Sequence, residues 1–91
     1  IDGRQTGYHP ESGFVPNAEV AIAIAVSVWE PIYGKEHIAK QAPYFAYEVK
    51  GYWVVQGTLP PAPPGHIVVG GTAKAIIEKR TGKVIHVIHH E

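Results

Sequence analysis

The chain contains no cysteine at any of its 91 positions. Disulfides and thiolate metal sites are therefore excluded, and the redox compartment stays open. No charge of one sign dominates either: 8 lysines and arginines face 8 acids, for a formal net charge of +0. No field of one sign draws the chain to nucleic acid or to an anionic membrane. Long apolar runs are missing too. The longest extends from Val20 to Trp29 and is interrupted by Ser27, whereas a membrane span needs about 20 residues. The opening residues do not read as a signal peptide.

Reactive side chains are scarce. Asp2 is the only aspartate, and Ser12 and Ser27 are the only serines. A hydrolytic triad needs a nucleophile, a base and an orienting acid. No G-x-S-x-G string and no phosphate-binding glycine loop is present. We expect no catalytic residue and no cofactor. Glu30, between Trp29 and Pro31, reads as a solvent-facing helix carboxylate rather than as a shifted acid. Glu48 or Glu78 acting with His89 is the one discontinuous arrangement left open. His86, His89 and His90 fall in one predicted strand. His89 points away from both of the others, and His86 and His90 lie about 13 Å apart at about 3.3 Å per residue. None of these pairs can chelate one ion, so no metal site is expected.

What remains is an ordinary globular composition, 45% hydrophobic and 18% charged, of a length that suits one domain. Residues 1–13 are polar and glycine-rich and read as a mobile arm. Residues 14–91 read as a single domain.

The run Ala18 to Glu30 (AEVAIAIAVSVWE) is ambiguous. Its apolar residues alternate two by two, as in a strand. Three features favour a helix. Asn17 can accept a free first-turn N–H. Glu19 sits where the helix dipole favours an anion. At about 100° per residue, Glu19, Ala23, Ser27 and Glu30 share an arc of roughly 80°. Ala21, Ile24, Ala25, Val28, Trp29 and Ile32 line the opposite side. We expect a helix over 17–33, loosened at Pro31 and closed at Gly34, then a short helix over 35–41.

From Tyr44 the period changes. Strands are expected over 44–49 and 52–57 around a Lys50-Gly51 turn, and over 72–79 and 83–89 around Arg80-Thr81-Gly82. Gly70-Gly71 reads as a bulge or kink. The fold class is α+β: one main helix and a short second helix on an antiparallel sheet of about four strands. Trp53, in the second strand, reads as a core residue.

The strings Gly13-Phe-Val-Pro16, Val28-Trp-Glu-Pro-Ile-Tyr-Gly34, Gly51-Tyr-Trp-Val-Val-Gln-Gly-Thr-Leu-Pro60, Gly70-Gly71 and Thr81-Gly-Lys-Val84, with His89 near the end, resemble the nuclear-transport-factor-like-fold immunity proteins of bacterial polymorphic toxin systems. The resemblance covers residues 13–90. It implies a minimal cystatin-like cone, a bacterial source, and binding of a cognate protein toxin without catalysis. Ile1 stands where an initiating Met would. Either a leader was removed or the chain was trimmed; the first reading leans the expected compartment slightly to the periplasm over the cytoplasm. Two departures stand out: the main helix has few charges, and the stretch between Leu59 and Gly70 is longer and richer in proline than the family's connector.

The expected partner-binding residues follow from that stretch and from the helix. Pro61, Ala62, Pro63, Pro64 and His66 form a stiff loop that loses little entropy on binding. Val20, Ile22 and Val26 flank the helix's polar face as an apolar patch, suited to the toxin or to a weak homodimer. Two further readings stand beside this one. One is a small-ligand or enzymatic domain with a pocket lined by Trp53, Tyr47 and His89. The other is a structural dimerisation module.

Overall fold

The alternating run folds as a helix. In the computed structural model, which describes residues 10–58 and 71–89, helix α1 spans Ala18–Tyr33. Asn17 is extended, and its Oδ1 accepts the Val20 N–H at 3.0 Å. Pro31 lies inside the helix, and the helix continues past it to Tyr33. Proline removes only one N–H there, in the last turn. Gly34 (φ 96°) then closes the helix by donating its N–H to the Glu30 carbonyl at 2.9 Å. The short helix α2, Lys35–Ala39, follows at once.

The buried stripe of α1 is Ala21, Ala25 and Trp29. These positions are four apart and fall within roughly 80° of one another. The small residues therefore occupy the centre of the contact, and Val20, Ile22, Ile24 and Val26 flank it half-buried. Glu19 and Ser27 are exposed and Ala25 is buried, as the helical reading requires, while Glu30 and Val28 are half-buried. Ile32 departs from that reading and is 57% exposed. It lies in the last turn, two residues before Gly34 redirects the chain into α2.

The four strands are β1 (Phe45–Val49), β2 (Tyr52–Gln56), β3 (Ala73–Glu78) and β4 (Val84–His89), joined as an antiparallel meander in the order β1-β2-β3-β4. Lys50 (φ 49°) and Gly51 (φ 85°) form the first turn. Two successive positive φ values match the right-handed twist of the strands they join. The second turn ends on Gly82 (φ 80°), whose N–H reaches the Glu78 carbonyl at 2.8 Å. A bulge falls in β4: Ile76 pairs with His86 and Ile77 with Val84, which leaves Ile85 as the extra residue. Gly71 lies before β3, and Gly70 is outside the described residues.

Helix α1 lies across β1, β2 and β3. The sheet face beneath it carries Trp53, Val55, Ala73, Ala75 and Ile77, all buried. Ala21 and Ala25 of the helix share this buried core with Ala73 and Ala75 of β3. Trp53 donates its Nε1–H to the Val15 carbonyl at 2.7 Å. Val15 in turn donates its N–H to the Lys79 carbonyl at 3.0 Å, and so the entering chain is tied to the hairpin end. Trp29 is fully buried and lies 5.9 Å from the Tyr44 ring, centroid to centroid. Its Nε1–H is the one buried side-chain polar atom without a partner among the described residues. Burying an indole gains roughly 4–6 kcal/mol from its apolar area, against about 1–3 kcal/mol for the unpaired N–H. The apolar term wins. Trp29→Phe removes that N–H and is expected to stay within about 1.5 kcal/mol of wild type, while Trp29→Ala loses about 3–5 kcal/mol; urea unfolding of both variants checks the contrast.

Candidate functional site

The polar chemistry of the molecule collects at the end of the sheet away from the two hairpin turns. Its centre is Gln41, just past α2 and only 4% exposed. Its Oε1 accepts the Ala73 N–H at 2.8 Å, and its backbone carbonyl accepts the Thr58 N–H at 2.7 Å. Gly57 allows this approach, because a Cβ there would stand 2.6 Å from Gln41 Oε1. The adjacent Thr58 hydroxyl donates to the Pro43 carbonyl at 2.6 Å. Gln41 thereby grips the last residues before segment 59–70 and the first residue of β3 after it.

The amide nitrogen of Gln41 lies 3.1 Å from His89 Nε2. An amide nitrogen only donates, so in this contact His89 Nε2 is the acceptor. His37 Nε2 also lies 3.1 Å from His89 Nε2. The His37 ring is tilted against His89 at 5.1 Å, as is the Tyr33 ring. Residues from α1, α2 and β4 thus meet over one imidazole. Tyr44 braces the same region by donating its hydroxyl to the Ile38 carbonyl at 2.8 Å. Burial, and secondarily the Glu30 carboxylate, hold its phenol above the ordinary value of 10.0.

Other candidate residues are spread apart. Glu48 pairs with Lys79 at 3.0 Å. Glu78 accepts from the Thr81 hydroxyl at 2.5 Å. Both acids sit at the hairpin end. His89 pairs with Ala73 at the opposite end of the sheet, some 13–16 Å along the strands from them. Neither acid can work with it. Tyr47 and Trp53 differ by one step in the β1–β2 register and point to opposite faces, so the pocket of Trp53, Tyr47 and His89 does not form. An open groove of about 630 Å³ lies at the hairpin end, lined by residues 10–14, Gly51 and Lys79, Arg80 and Thr81. Among the described residues no cluster of three metal-ligating side chains occurs, and no helix is long and apolar enough to cross a membrane.

Of the expected binding residues, Val20, Ile22 and Val26 are half-buried and pack against the core with one side. Pro61, Ala62, Pro63, Pro64 and His66 lie outside the described residues. Gln41 and His37 were not visible as site residues in the sequence, because their partners stand 32 and 52 positions away. Gly57 was the available signal, since a glycine beside a strand often marks a close approach of backbone.

This helix-on-open-sheet arrangement, with the clasp at one end, is the context for a family comparison. A family model described as NTF2 fold immunity protein matches residues 20–91. The chain belongs to the NTF2 fold immunity protein family. Its two helices on a four-stranded antiparallel open sheet are the α+β, NTF2-like fold of that family. Comparison with curated proteins and with solved structures gives no match.

Gln41→Leu keeps the volume and strands the Ala73 N–H. We expect a loss of about 1–3 kcal/mol and faster amide exchange at Thr58 and Ala73, measured by hydrogen–deuterium exchange. Tyr44 supplies a pH test. Below pH 10 its phenol is neutral in both states, and above it the unfolded chain ionises first. Stability from this group is therefore lost as pH rises through the raised folded value. The stability advantage of wild type over Tyr44→Phe narrows as pH rises above the ordinary value of 10.0, as read from melting temperatures.

Proposed function

We propose that this protein neutralises one cognate toxin of a bacterial polymorphic toxin system by binding and covering it, without catalysis. The observation that carries the reading is the clasp. Gln41 fixes both roots of segment 59–70 to the rigid end of the sheet. Recognition loops work best when a rigid scaffold presents them. The segment between these roots contains Pro60, Pro61, Pro63 and Pro64. A proline fixes its own φ near −65°, and a sequence of this composition has little backbone entropy to lose on docking.

The toxin contact on this reading comprises Pro61, Ala62, Pro63, Pro64 and His66. Val20, Ile22 and Val26 form the apolar flank that the toxin reaches along α1. The loop has no acid, lysine or arginine between Leu59 and Gly70, so shape and apolar burial supply the affinity, and salt weakens binding little. Family membership supports the immunity role in general.

The test replaces Pro61–Pro64 with glycine and serine. Folding stability falls by no more than about 1–3 kcal/mol for the three prolines, while toxin affinity falls at least about tenfold, or roughly 1.4 kcal/mol. Growth of cells expressing the adjacent toxin, at matched protein abundance, gives the readout. Equal protection by both proteins removes the loop from the contact. Failure of the wild type to protect against an adjacent toxin defeats the immunity reading itself.

A further inference from the structure

Within the C-terminal strand no two histidines can chelate one ion. The fold brings a partner from another element. His37 lies on α2 and His89 at the end of β4, 52 positions away, and their Nε2 atoms stand 3.1 Å apart. Two imidazole nitrogens bound to one zinc ion at about 2.0–2.1 Å, with about 90–110° between the bonds, stand about 2.8–3.4 Å from each other. The pair therefore already has the spacing of a chelate. The rings are tilted by 34° with centroids 5.1 Å apart. A small rotation of the exposed His37 side chain aims both lone pairs at one point.

The surrounding fold holds the two ligands in place. The Tyr33 ring packs against the His89 ring at 5.1 Å. Beside His37, Ile38 is fully buried, and its carbonyl accepts the Tyr44 hydroxyl at 2.8 Å. Helix α2 is thus pinned where it presents His37. His37 is exposed and His89 half-buried, so an ion reaches the pair directly from solvent. Neutral imidazole suits zinc, copper and nickel, whereas magnesium and calcium prefer oxygen. The Gln41 amide nitrogen also lies 3.1 Å from His89 Nε2. A bound ion takes that lone pair and displaces the amide hydrogen, while Gln41 Oε1 keeps the Ala73 N–H.

We propose that His37 and His89 form a two-histidine site for a divalent transition-metal ion, which cross-links α2 to β4 beside the Gln41 clasp. Water completes the coordination, so the ion is held less tightly than in a site closed by four protein ligands. This inference does not rest on the toxin reading.

The experiment is calorimetric titration of protein without an affinity tag, using zinc chloride and, separately, magnesium chloride. Wild type binds zinc saturably and magnesium not measurably. His37→Ala changes an exposed residue, and circular dichroism confirms its fold. It weakens zinc binding at least as much as the roughly tenfold that loss of an outer-shell partner costs. His86 pairs with Ile76 on the other face of the sheet, and His86→Ala binds zinc as wild type does. Zinc raises the melting temperature of wild type, because it binds the folded state, and leaves that of His37→Ala in place. By NMR the Gln41 side-chain amide resonances shift on zinc addition, while the Ala73 N–H stays protected from exchange. Absence of saturable zinc binding overturns the proposal. So does zinc binding indifferent to His37→Ala, lost in His86→Ala, matched by magnesium, or silent at the Gln41 amide.

Discussion

One buried amide holds the layers of this protein in their arrangement. Gln41 is nearly sealed from solvent, yet it presents an acceptor to the start of β3, a carbonyl to the end of β2 and a donor to the last residue of β4. Each of these groups is costly to bury unpaired. Because one side chain satisfies them together, the end of α2 cannot shift along the sheet without breaking several bonds at once. A rigid sheet end is the consequence.

The apolar core explains the other half of the design. Among the described residues the helices cover one side of the four-stranded sheet. On the covered side, alanines of α1 and β3 share the core with Trp29 and Ile77. On the uncovered side, aromatic and β-branched residues favour the strand conformation and remain in contact with water.

The chain by itself determined the element order, because local chemistry dictated it. Asn17, Gly34 and the shared arc of Glu19, Ser27 and Glu30 made α1 legible against its strand-like alternation. Lys50-Gly51 and Gly82 located both turns, since the positive φ values they adopt are turn conformations. The family, too, was legible in the tryptophan-centred strings. Tertiary structure alone decided the rest. The rotation of α1 about its axis chose Ala21, Ala25 and Trp29 as the buried stripe and left Ile32 outside, because packing against the sheet selects among residues that periodicity cannot rank. The bulge at Ile85 has no glycine to announce it. The clasp of Gln41 on Ala73 and His89, and the meeting of His37 with His89, depend on strand register and long-range pairing. These are set by how whole faces pack, and no local stretch of sequence carries that information.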